Sequence, residues 1–217
     1  MAAAAPACTP TVQSDMTPLA HQRLDTFLEQ LGSKTPTPGG GAVAGTTGAT
    51  AAALANMVVA YSLGKKNLAE HQPALEQARA ALTNFTRLFL RLADEDAAAY
   101  ALVSELQKLP EADERRKRDL PAAAAAALDV PLAALAAACD LLRLVESLAD
   151  KSNRFLRSDL AIAGVLAEAA ARGAWWNVSV NLPSVPDQSI RSRIEHDGLA
   201  MLDDAAQRRA RVEAACR

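Results

Sequence analysis

Aromatic side chains make up only 4% of this 217-residue sequence, and no stretch alternates apolar and polar residues for long enough to read as a strand. That excludes a β-sandwich or barrel, which needs aromatic and β-branched side chains to cover its sheets. Cysteine is scarce too: Cys8, Cys139 and Cys216 are odd in number, far apart and never in a Cys-x-x-Cys pair. Neither a disulfide framework nor a structural zinc site fits that spacing, and a reducing cytoplasm is the expected setting. His21, His71 and His196 are equally scattered, so no metal is expected. Charge of one sign is not in excess either, with 23 Lys and Arg against 25 Asp and Glu, which argues against a nucleic-acid partner. The opening residues lack a positively charged start and a long apolar run, so no signal peptide is read there. Residues 1–16 are expected to form a disordered tail and residues 17–217 a single domain.

What is present is helix-forming material. Half of the residues are hydrophobic, and alanine and leucine dominate them. Apolar positions recur at helical spacing in about six or seven segments, predicting a single-domain, all-α bundle. The first helix opens with Thr17 as N-cap and Pro18, and runs to Gly32. After the breaker-rich turn SKTPTPGGG, a second helix spans about residues 42–63, with Gly41, Gly45 and Gly48 along one side and Gly64 as its C-cap. A long third helix follows and stops before Pro110. A fourth reaches about Leu128, and Pro131 opens a fifth. Ser158 caps a sixth, from Asp159 to about Leu182, and the last runs over about residues 187–214. The second helix carries no charge, which would also suit a membrane span; its threonines, asparagine and glycines fit a buried helix of a bundle better, and no membrane partner is expected.

Few residues could carry chemistry. Pro38, Gly39, Gly40 and Gly41 precede a helix, so their outward amides and the helix dipole suit an anion or a closely approaching planar ligand, although a tight packing turn explains the same residues. Asp96 falls on the apolar stripe of the third helix, whereas Asp94 points away. A buried carboxylate is costly unless paired or used, so Asp96 is either tied up structurally or catalytic. Asp159, in the first turn of a helix, can simply complement the dipole. Gly173, Asn177 and Asn181 share a face that could read a ring with alternating donors and acceptors, or could form a packing seam. Trp175 and Trp176 point in different directions, so one of them is expected in the core. Lys65 and Lys66 could attract a carboxylate-bearing ligand, as could Arg154 and Arg157.

Five segments, in order, resemble the cyclodeaminase/cyclohydrolase family: TPTPGGGAVAG, NMVVAYSLGKKN, DEDAAAY, VPLAALA and SNRFLRSDLAIAGVLAEAAARGAWWNVSVNLPSVPD. The glycine turn and the Ser-Asp…Gly-Ala-x-x-Asn-Val-x-x-Asn block are the specific parts, and Arg154-Phe155-Leu156-Arg157 is bulkier and more basic than the pattern expects. The resemblance implies a fold like the C-terminal domain of formiminotransferase-cyclodeaminase, a homodimer, a folate groove and no cofactor beyond the tetrahydrofolate substrate. It implies hydrolysis of 5,10-methenyltetrahydrofolate to 10-formyltetrahydrofolate. Alternatives are formiminotetrahydrofolate cyclodeamination, with release of ammonia, and a non-catalytic folate-binding or dimerisation module. No formiminotransferase segment precedes the matching block, which tilts the expectation toward the cyclohydrolase. Asp96, with Asp159 second, is expected to transfer the proton; Asn177 and Asn181 to read the pterin; the glycine amides to approach the ring; and Lys65 and Lys66 to attract the glutamate tail.

Overall fold

A computed structural model describes residues 17–217; the expected N-terminal tail lies outside the described residues. Six α-helices follow one another: α1 (Leu24–Leu31), α2 (Gly40–Ala60), α3 (Gln72–Gln107), α4 (Glu114–Ser147), α5 (Arg157–Asn181) and α6 (Gln188–Cys216). Among the described residues there is no strand. Helices α2 to α5 form a closed ring of neighbours, with α2 beside α3 and α5, and α4 beside α3 and α5; α6 packs across α4 and α5.

Small residues on α2 set the spacing of this ring. Ala51, Ala52, Ala55, Val58 and Val59 are fully buried. A methyl group added at Gly48 would lie 2.6 Å from the Phe89 ring, and one at Gly45 would lie 2.7 Å from the Ala93 methyl. The predicted glycine stripe is therefore where α3 presses against α2. Among the described residues two helices, α2 and the long α4, are long and apolar enough to cross a membrane by length and composition alone, yet over half of the apolar window of α2 is buried inside the bundle. Gly64 does end the α2 turn in the left-handed region (φ 74°), as its C-cap position predicts. Buried Ser62 ties this end down: its hydroxyl donates to the Val58 carbonyl and accepts the Asn153 N–H at 2.8 Å.

Three expected boundaries are corrected. Thr17 and Pro18 do not start the first helix: Leu19–His21 form a 3-10 turn, Gln22 and Arg23 are extended, and the helix starts at Leu24. The Asp94 carboxylate takes the Leu19 N–H at 3.0 Å and holds that turn on α3. The expected fourth and fifth helices are one, α4, with Pro121 and Pro131 inside it and Asp113 as its N-cap. Ser158 caps nothing: α5 begins one residue earlier, after a 3-10 turn whose Phe155 N–H is accepted by Asn153. The last helix agrees with its prediction to within two residues, and Asp187 caps it by accepting from Ser189 and Ile190. Trp175 packs partly buried, its ring so close to Gly198 that a methyl there would sit 2.0 Å away, whereas Trp176 is exposed.

At the far end of α6, Arg208 and Arg211 converge on Glu146 of α4, and Arg208 also bonds Asp204. The Arg211 guanidinium, and then that of Arg208, hold the Glu146 carboxyl below its ordinary value against the opposing effect of partial burial. A carboxyl lowered in the folded state stabilises the fold above its unfolded pKa, and that contribution is lost as pH falls through the folded value. Glu146→Gln is expected to cost about 0.5–1 kcal/mol at neutral pH, because the network stays in contact with water. In urea titrations the gap between wild type and variant should close as the buffer is taken through the acid range. A gap that persists there would assign the loss to packing.

Candidate active site

The turn before α2 leads into the helix through a cis Thr37–Pro38 peptide, with Pro38 itself buried. Gly39 is the N-cap and has no side chain to satisfy the first turn of α2. The N–H groups of Gly40, Gly41 and Ala42 therefore have no partner within the helix and no side-chain cap; the first internal bond runs from Val43 N–H to the Gly39 carbonyl. These donors and the helix dipole favour negative charge at this end.

Asp96 of α3 stands directly against this turn. A methyl group at Gly41 would lie 1.8 Å from Asp96 Oδ2 and 2.2 Å from its carboxyl carbon, so only glycine admits the carboxylate. Burial raises the Asp96 pKa above the ordinary aspartate value of 3.8. No hydrogen bond or ion pair to the side chain is formed among the described residues, and burial is the cause of the shift. The contrast with Asp94, two residues away and engaged by Leu19, matches the opposite faces read from the sequence.

Gly41, Asp96 and Asn177 line a cavity of about 10 Å³, walled by Leu92 and Ala93 of α3 and by Val130, Pro131 and Ala134 of α4. That is room for about one water molecule, not for a pterin. Close to Asn177 along α5, Trp176 and Val180 are more than 70% exposed, and Tyr100, one turn beyond Asp96 on α3, is half exposed.

The other candidates separate into two groups. Asn177 joins the site: its Oδ1 is 3.2 Å from where a Gly40 methyl would be, and its Nδ2 donates to the Gly173 carbonyl. Asn181 does not line the cavity; its Nδ2 donates to the carbonyls of Ala127 at 2.8 Å and Asn177 at 3.0 Å, so neither proton is left to read a ring. Asp159 sits in the first turn of α5, 18 residues from Asn177 and so roughly 27 Å along the same helix. Lys65 and Lys66 follow the C-terminal end of α2, about 30 Å from the glycine turn. Within one chain these three residues lie at the opposite end of the bundle from Asp96. The α4 wall was missed by residue-level reasoning, because Val130, Pro131 and Ala134 carry no polar group; VPLAALA had stood out only as part of the resemblance. Among the described residues no three His, Cys, Asp or Glu side chains gather to hold a metal ion.

A helical bundle that leaves a half-buried, unpaired acid beside a bare helix N-terminus and a water-sized cavity has the build of an enzyme acting on a small molecule. Residues 23–198 match the family described as formiminotransferase-cyclodeaminase, and the chain belongs to that family. The formimidoyltransferase-cyclodeaminase of Sus scrofa is 32% identical over 89% of this chain, which spans only 37% of that protein's length. The methenyltetrahydrofolate cyclohydrolase of Methylorubrum extorquens is 33% identical over 78% of this chain and 83% of its own. In three dimensions, the formiminotetrahydrofolate cyclodeaminase of Thermotoga maritima superimposes with a TM-score of 0.82 at 28% identity, covering 90% of this chain and 96% of that one. The expected family and the all-helical fold are thus both found, and the named relatives are folate-processing enzymes.

Proposed function

We propose that the protein is a methenyltetrahydrofolate cyclohydrolase, with Asp96 as its proton-transfer group. The observation that carries this reading is the unpaired Asp96 carboxyl facing a cavity the size of one water molecule. Water held there adds to the cationic methenyl carbon while Asp96 accepts one of its protons. The tetrahedral carbon then collapses: its bond to N5 breaks, N5 takes up a proton, and the hydroxyl loses its proton as the formyl C=O forms on N10. One proton is released overall. The carboxylate also offsets the positive charge of the five-membered ring before water adds. Gly40 and Gly41 bring the main chain close to the ring, and Asn177 offers Oδ1 as an acceptor beside it.

The Thermotoga maritima relative favours a second reading, cyclodeamination of formiminotetrahydrofolate, which passes through a similar tetrahedral carbon. Each substrate is to be given separately to one preparation, with methenyl absorbance and ammonia followed together. Loss of methenyl absorbance without ammonia release from the formimino compound is expected. Ammonia release with the methenyl compound left intact would overturn the cyclohydrolase in favour of the cyclodeaminase.

The working form is proposed to be a homodimer joined through the outer faces of α2 and α5. On α2 this face carries Val43, Thr47, Thr50, Leu54, Met57 and Tyr61 without a single charge, and it continues onto Ile162, Val165 and Trp176 of α5. About 30 Å of helix length and two helix widths of about 10 Å give about 600 Å² per chain, close to what a stable dimer needs. If α2 crosses its two-fold mate antiparallel, Lys65 and Lys66 of one chain approach the glycine turn of the other. Thr50→Arg is expected to yield monomers by light scattering, with the helical signal unchanged; a dimer that persists would place the contact elsewhere.

A further inference from the structure

Pro131 stands in the interior of α4, where it has no N–H to give to the Ala127 carbonyl four residues earlier. A break is expected at such a position, yet α4 runs through it unbroken from Glu114 to Ser147. The missing donor comes from another helix. Asn181, the last residue of α5, donates through Nδ2 to the Ala127 carbonyl at 2.8 Å, and through the same amide group to the Asn177 carbonyl at 3.0 Å. Both partners are carbonyl oxygens, so the amide can be oriented only one way, with its nitrogen toward them.

This contact touches the site on two sides at once. Pro131, with Val130 and Ala134, forms the α4 wall of the cavity, while Asn177 lines it from α5; Asp96 and Gly41 complete it from α3 and α2. We propose that Asn181 is a positioning residue: it stands in for the donor lost at Pro131, clamps α4 to the end of α5, and so sets the width of the cavity in front of Asp96. The proposal rests on the reading of Asp96 as the proton-transfer group. Both of its amide protons are spent on the main chain, so it has no donor left to offer a ligand.

The test is a double-mutant cycle in the full-length protein. Pro131→Ala returns an N–H to the Ala127 carbonyl, so it should make the Asn181 amide dispensable. Asn181→Ala alone is expected to lower kcat for the methenyl compound about tenfold, the scale of a small misplacement at a reacting centre, with KM within twofold. In the Pro131→Ala background the same change should cost less than threefold. Amide hydrogen exchange over residues 128–134 of α4 should quicken in Asn181→Ala and return toward wild type in the double variant. An equal loss of kcat in both backgrounds, or a rise in KM with kcat unchanged, would overturn the clamp and point to direct substrate contact. The exchange measurement needs no folate: if wild type turns over neither substrate, the reading of Asp96 fails, while unchanged exchange in Asn181→Ala overturns the clamp itself.

Discussion

Asp96→Asn is expected to lower turnover of the methenyl compound by at least tenfold, and by about 10²-fold if the carboxylate moves the proton in the rate-limiting step. The same substitution is expected to stabilise the fold. Asp96 has its pKa raised by burial, so its ionised form is disfavoured in the folded state, and stability is lost as pH rises through the folded value. An amide of the same shape avoids that loss at neutral pH. Thermal melts should therefore place the Asn variant above wild type at neutral pH, with the two converging once the buffer falls below the ordinary aspartate value of 3.8. Opposite signs for activity and stability would mark a residue kept for its chemistry. A variant that is less stable and fully active would make Asp96 a structural acid.

Gly41→Ala is expected to abolish activity almost completely while leaving most of the bundle folded. Its methyl group would be placed 1.8 Å from Asp96 Oδ2, far inside any real contact distance. One of the two must move. Because Asp96 is free of hydrogen bonds among the described residues, its side chain is the part that yields, swinging out of the cavity. Turnover should fall by about 10²-fold, comparable to losing the acid. Combining Gly41→Ala with Asp96→Asn should then add little, since both remove the same group from the same place. Losses that multiply would show that Gly41 serves the ring or the dimer by a separate route.

These effects arise from features the sequence shows to different degrees. Asp96 was legible because helical periodicity places it on the stripe of Phe89 and Leu92, where a carboxylate is out of keeping. The glycine stripe was legible for the same reason, and α3 does pack into it. The merging of two expected helices into α4 was not, because a proline in such a run reads as a break, and nothing local shows that the donor missing at Pro131 comes from another helix. Here Asn181 supplies it from 54 residues away in the chain. The same long-range contact uses both amide protons of Asn181, which its spacing with Asn177 does not reveal. Periodicity places residues around one helix, but it does not say at which end of the bundle they meet the others. Lys65, Lys66 and Asp159 were grouped with the glycine turn through the resemblance, and the antiparallel run of α2 and α5 carries them away from it within one chain.

The most direct test is the rate of methenyl absorbance loss with purified wild-type protein set against buffer alone. A rate above buffer that is saturable in 5,10-methenyltetrahydrofolate and collapses in Asp96→Asn is the predicted result. No acceleration over buffer, or an acceleration equal in wild type and Asp96→Asn, would contradict it.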